Sequence, residues 1–151
     1  MTPSSRLLVG EQLLLTLWVG SQWAIGYIAV PVLFHSLDNR ALAGNVAGEM
    51  FTVVYLIGLV AGPLLIASLW FRAGPVLREW RFWVIVAMVV LVAIGMFVVQ
   101  PMMQDLKTQG ELVKGGELAA RFGRLHGMSS AMYLVTSLLG LALVVFGRRD
   151  D

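Results

Sequence analysis

Four stretches of this chain, residues 13–34, 50–71, 82–104 and 125–147, carry no charged side chain when histidine is counted as neutral. Each exceeds the roughly 20 apolar residues needed to cross a hydrocarbon core of about 30 Å at 1.5 Å per residue. Nothing else in the sequence constrains the fold as strongly. A backbone in lipid must satisfy its N–H and C=O groups within its own segment, so all four stretches are predicted to be helices. They consume most of the 151 residues and leave no room for a separate soluble domain. The expected fold class is all-α, an integral membrane four-helix bundle, with residues 1–151 forming a single four-span transmembrane domain. Composition agrees: 13% of residues are charged, against about 25% in an ordinary soluble domain.

Arg6 ahead of an apolar run raises the rival reading of a cleaved signal peptide. The run is too long for one, has Glu11 just before it, lacks an A-x-A-like exit and continues through Pro31 to Phe34, so a retained first span is expected. There is no cysteine, hence no disulfide framework and no thiolate metal site. An even number of crossings puts both termini on one side with the turn "FRAGPVLREWR", where Arg72, Arg78 and Arg81 crowd against two spans. The opposite side has Arg40, Lys107, Lys114, Arg121 and Arg124, diluted by Asp38, Glu49, Asp105, Glu111 and Glu117. Basic residues crowded at span ends mark the cytoplasmic side. Cytoplasmic termini are therefore expected, and the basic balance is read as orientation rather than nucleic-acid binding. Trp70, Trp80 and Trp83 would then belong to an interfacial aromatic belt, with Trp18 and Trp23 deeper.

Lipid tails are as apolar as leucine, so small residues that let helices approach become informative. Gly58-x-x-x-Gly62 and Thr136-x-x-x-Gly140 are such pairs, and the first could serve packing within one chain or between two. A stripe of Gln12, Thr16, Gly20, Tyr27 and Pro31 in the first span, and another of His126, Ser130, Tyr133 and Ser137 in the fourth, are expected to face protein. Pro31, Pro63 and Pro101 each remove a helical donor and invite a kink. Gly44-x-x-x-Gly48 is either loop or a helical lead into the second span. From Glu117, Leu118, Phe122 and Leu125 share one face, as in an amphipathic extension of the fourth span, while Gly115-Gly116 interrupts any helix running in before it.

This topology brings His35, Glu49, Met50, Gln100, Met102, Met103, His126 and Met128 to one surface, where four helix ends could enclose a small cavity. Thioether and imidazole groups suit Cu(I), and two histidines on different helices could ligate haem b. His35, His126, Met102, Met103 and Met128 are the candidate metal ligands. His126, Ser129, Ser130, Gln100, Tyr133 and Tyr27 are the candidate ligand-binding residues. The plainer reading is that the histidines are hydrated boundary residues and the methionines gap fillers. No H-E-x-x-H, phosphate loop, nucleophile elbow or paired-carboxylate set is present. The charge-free stretches hold no Asp, Glu, Lys or Arg, which argues against an ion pump.

The segments "GSQWAIGYIAVPVLF", "GEMFTVVY", "QPMM" and "FGRLHGMSS", in this order, resemble the transmembrane protein 205-like family, whose bacterial members are domains of unknown function within a copper resistance protein D-like group. The resemblance runs from about Gly20 to Gly140. It implies a bacterial inner-membrane protein with copper or haem handling among the group's roles. His126, Gly127, Ser129 and Ser130 match the family's His-Gly-x-Ser-Ser pattern. Gln100 stands where some relatives have an acidic residue, Tyr133 where some have asparagine, and position 35 need not be histidine. The leading expectation is a non-enzymatic membrane protein binding a metal, haem or small ligand at its outer rim. The alternatives are an interaction subunit, as a homo-oligomer or within a larger membrane complex, and a haem-dependent oxidoreductase. Membrane lipid is an expected partner in every case, and nucleic acid in none.

Overall fold

The computed structural model describes residues 3–71, 76–110 and 115–147, with side chains from residue 6 onward. Among these, four helical rods are long and apolar enough to cross a membrane: Arg6–Ser36, Arg40–Trp70, Trp80–Thr108 and Glu117–Phe146. The protein is thus an all-helical, multi-pass membrane bundle. The first rod comprises α1 (Pro3–Ala24), a π-helical turn (Ile25–Ala29) and α2 (Val30–Ser36). The second is α3 (Arg40–Trp70). The third comprises α4 (Trp80–Ile94), a second π-helical turn (Gly95–Val99) and α5 (Gln100–Thr108), and the fourth is α6 (Glu117–Phe146). Each rod packs beside its neighbours in sequence, and the fourth closes the ring against the first.

The helix boundaries have local causes. Asn39 caps α3, its Oδ1 accepting from the N–H groups of Ala41 and Leu42 at 3.0 Å each. Helix therefore begins ahead of Gly44-x-x-x-Gly48, which resolves that segment as a lead into the second span. Gly115 takes φ +91°, a left-handed conformation that a side chain disfavours, and α6 starts two residues later. Leu118, Phe122 and Leu125 are half-buried along its first turns. The three belt tryptophans, Trp70, Trp80 and Trp83, are all exposed.

Both π-helical turns are tied to prolines. Pro31 and Pro101 each stand two residues beyond a π turn, and each lacks the N–H that would reach back four residues. A proline ring also clashes with that carbonyl in a regular helix. A wider i→i+5 turn just ahead of the proline relieves the clash without breaking the span. Pro63 lies inside α3, with no such turn beside it.

Small residues set the approach of the rods. The Trp18 indole is fully buried and lies in the groove made by Gly58 and Gly62, where a Cβ on Gly58 would sit 2.6 Å from its Nε1. A Cβ on Gly62 would collide with Val89, and one on Gly140 would come within 2.8 Å of Val19. Gly58-x-x-x-Gly62 therefore packs within the chain. Trp18, Ile85, Met88, Val92 and Leu143 form the centre of the core around it. In lipid this contact gains little from hydrophobic transfer, so close van der Waals fit and polar contacts hold the rods together.

The first-span stripe corrects an expectation. Gln12, Thr16, Gly20, Tyr27 and Pro31 are exposed, and the buried face carries Glu11, Trp18, Val19 and Gln22 instead. This rotation seats the bulky Trp18 indole in the Gly58–Gly62 groove. The fourth-span stripe divides: Ser137 is buried and Tyr133 half-buried, while His126 and Ser130 are exposed. Ser137 and Thr136 each donate to the carbonyl four residues back, at 2.8 Å. They satisfy themselves within the helix rather than joining rods.

Candidate functional site

Three polar regions stand out along the bundle axis: a buried pair near the termini, a tyrosine-bridged middle, and a cleft at the opposite rim. At the termini end, Glu11 is 6% and Arg81 13% exposed. A Glu11 carboxylate oxygen lies 3.7 Å from the Arg81 guanidinium, and the Ser68 hydroxyl donates to the other carboxylate oxygen at 2.9 Å. Three rods are joined by this cluster. Sequence reasoning used Glu11 only as a span limit and Arg81 only as a mark of orientation. The available signal was an acid, a hydroxyl and a base at the same end of three spans.

In the middle, Tyr133 of α6 enters the ladder of the first rod. Its hydroxyl donates to the Gln22 carbonyl at 2.6 Å and accepts from the Gly26 N–H. These two backbone groups would pair with each other in a regular α-helix, so the phenol bridges the opening at the π turn. A Cβ on Gly26 would collide with the Tyr133 ring. The other π turn is treated similarly: Tyr55 of α3 lies against Gly95, whose Cβ would come within 3.1 Å of the ring, and the Tyr55 and Ser129 hydroxyls are hydrogen bonded. Phe51 meets Tyr133 edge-on at 5.0 Å, and Tyr27 lies 4.8 Å from Trp23 and 6.1 Å from Tyr133, centroid to centroid. Of the expected ligand-binding residues, the structure brings Tyr27, Ser129 and Tyr133 into or beside this cluster. Gly26, Tyr55 and Gly95 were missed. Their signal was a glycine six residues or fewer before a proline in two different spans.

At the rim, a cleft of about 340 Å³ opens between the ends of the third and fourth rods, lined by Met102, Asp105, Leu106, Arg121, Arg124 and Leu125. Its lining combines three apolar residues with two arginines and one aspartate. Arg121 is held by Glu117 one turn earlier at 2.6 Å, in a pair exposed on both sides. Asp105 accepts from the Gln109 amide at 3.2 Å. Only Met102 of the expected site residues lines the cleft. His126 is exposed and stacks on Phe122, with ring centroids 6.2 Å apart and planes at 8°. The Lys107 ammonium sits 5.9 Å from the Phe122 ring centroid and donates to Asn45 at 3.0 Å. His35 is exposed in the last turn of α2, Met128 and Ser130 are exposed, and Gln100 and Met103 are half-buried. Among the described residues no group of three histidine, aspartate or glutamate side chains is placed to hold a metal ion.

No curated protein and no solved structure matches the chain. A family model does match, over residues 13–112, which takes in most of the first rod and all of the second and third, and stops short of the fourth. That match covers well over half of the sequence, and the chain belongs to the family described as "Domain of unknown function (DUF4149)".

Proposed function

We propose that this protein is a non-catalytic membrane bundle that binds an anionic amphiphile, an acidic phospholipid foremost, in the cleft between the third and fourth rods. The observation that carries this reading is the make-up of the cleft: two arginines and one aspartate together with Met102, Leu106 and Leu125. Guanidinium groups are suited to bidentate contact with phosphate and carboxylate oxygens. The three apolar lining residues offer contact to acyl chains. The same arginines repel a bare metal cation. The rim is taken to face outward, because Arg78 and Arg81 lie at the other end, with Arg72 close to them in the sequence.

The likeness to the transmembrane protein 205-like and copper resistance protein D-like group suggests copper or haem b instead. That reading needs His126 to meet His35 or the methionines Met102, Met103 and Met128. Its support is the sequence pattern alone, since His126 is engaged with Phe122 and lies outside the cleft lining.

Native mass spectrometry of the detergent-purified protein tests the proposal. Phosphatidylglycerol should be retained in preference to phosphatidylcholine, and replacing both Arg121 and Arg124 by alanine should cut that preference about tenfold, or about 1.4 kcal/mol. His126→Ala should leave it unchanged. Equal retention of the two lipids, or uptake of stoichiometric copper or haem lost in His126→Ala, would overturn it.

A further inference from the structure

Gln22 is fully buried, and neither its amide nitrogen nor its amide oxygen has a hydrogen-bond partner. The indole N–H of Trp18, one turn earlier on the same helix face and equally buried, is unpartnered too. Side chains four residues apart have Cβ atoms about 5–6 Å from each other, which puts the two residues on one face of the helix.

Their depth makes the observation costly to ignore. Gln22 lies in the span Arg6–Ser36, about 24 Å from its first residue and about 21 Å from its last at 1.5 Å per residue. That is near the middle of the span, remote from bulk water at either end. An amide left unpaired in such a medium is strongly destabilising. Buried polar groups in folded proteins are nearly always partnered, and an exception calls for an explanation, of which a bound small molecule is one.

We propose that Gln22 and Trp18 form an intramembrane binding site for a small neutral hydroxyl compound, of which water is the smallest. The chemistry of the donor set selects this class. The indole N–H and the amide NH₂ present hydrogens that repel a cation, and the amide oxygen repels an anion. A hydroxyl group accepts from the first two and donates to the third. No charged side chain lies in the surrounding stretch, residues 13–34, to compensate an ion. Gly58 admits the Trp18 indole edge to this position, since a Cβ there would sit 2.6 Å from Nε1. The neighbouring backbone is already prepared for polar company: the Gln22 carbonyl is turned over to the Tyr133 hydroxyl at 2.6 Å. This site is separate from the rim cleft and stands whether or not the cleft binds lipid.

The test is magnetisation transfer to side-chain protons in ¹⁵N-labelled protein held in phosphatidylcholine nanodiscs. In plain buffer, cross-peaks at the water frequency are expected on both the Gln22 amide and the Trp18 indole N–H, while backbone amides of Ile85 and Val92 show none. With ethylene glycol added, cross-peaks from its methylene protons at the same two groups would identify the site as open to larger hydroxyl compounds. Their absence beside persisting water peaks would restrict it to water. Gln22→Met, apolar and of similar length, should lose the transfer to Trp18 without gaining thermal stability. The proposal is overturned if the wild-type protein shows no cross-peak from either source, or if Gln22→Met raises the unfolding temperature as expected for removal of an idle buried amide.

Discussion

The two ends of the bundle are built from the same residue types and arranged in opposite ways. At the termini end, Glu11 and Arg81 are withdrawn from solvent and meet across rods, with Ser68 completing the contact. At the rim, Arg121 and Glu117 pair along one helix in the open, and Arg121, Arg124 and Asp105 border a cleft. Charges buried between rods hold those rods in register. Charges displayed on one rod leave their neighbours free and remain available to a ligand. The comparison assigns fastening to one end and recognition to the other.

The largest effect expected from breaking this contrast is at the fastened end. Glu11→Ala leaves the Arg81 guanidinium without its buried carboxylate, a class of change that costs about 3–5 kcal/mol. Thermal unfolding in mild detergent should show it, with lipid retention at the rim unaltered in the fraction that stays folded. A loss below 1 kcal/mol would mean that the termini end is no more fastened than the rim.

Next comes the groove that orients the first rod. Gly62→Leu drives a side chain into Val89 beside the Trp18 indole, and overpacking of this kind costs about 1–3 kcal/mol. The oligomeric state measured by light scattering should stay the same, because the contact lies within one chain. A change of oligomeric state with stability intact would return Gly58-x-x-x-Gly62 to a role between chains.

How much of this was legible in the sequence follows the physics of each feature. The spans could be read because lipid imposes length and apolarity one segment at a time, and Pro31 and Pro101 announced local departures from regular helix. The rotation of the first rod could not. Gln12, Thr16 and Gly20 look like an interior stripe by residue type, but weakly polar and small groups survive on an exposed face. Trp18 and Gln22 face inward because of a groove on another rod, which no local pattern encodes. The rim was partly legible: Met102 was named, whereas Arg121 and Arg124 were counted as topology charges although they line the cleft. His126 drew attention through its sequence neighbours, and its ring partner Phe122 is one turn earlier on the same helix.

An intermediate effect is expected at the tyrosine bridge. Tyr133→Phe keeps the ring against Gly26 and removes only the hydroxyl that joins the Gly26 N–H to the Gln22 carbonyl. Leaving buried backbone groups unsatisfied costs about 1–3 kcal/mol. The companion readout is hydrogen exchange at Gly26, whose amide should lose protection relative to Ile85. If exchange at Gly26 is unchanged, the π turn closes without help from the fourth rod.

The smallest effect belongs to the rim and sharpens the comparison most. Glu117→Gln removes the carboxylate paired with Arg121, yet an exposed pair of this spacing is worth only about 0.3–0.5 kcal/mol. Unfolding should therefore barely move. Lipid binding should move the other way: with its local counter-charge gone, the Arg121 guanidinium is freer to turn toward the cleft, and retention of phosphatidylglycerol should rise. Added salt should then erase that gain, because an exposed cation acts through a field screened within about 10 Å at 0.1 M. A variant that is destabilised as strongly as Glu11→Ala would show that the rim fastens the bundle after all. One that binds acidic lipid less well would show that Glu117 positions Arg121 for the ligand rather than competing with it.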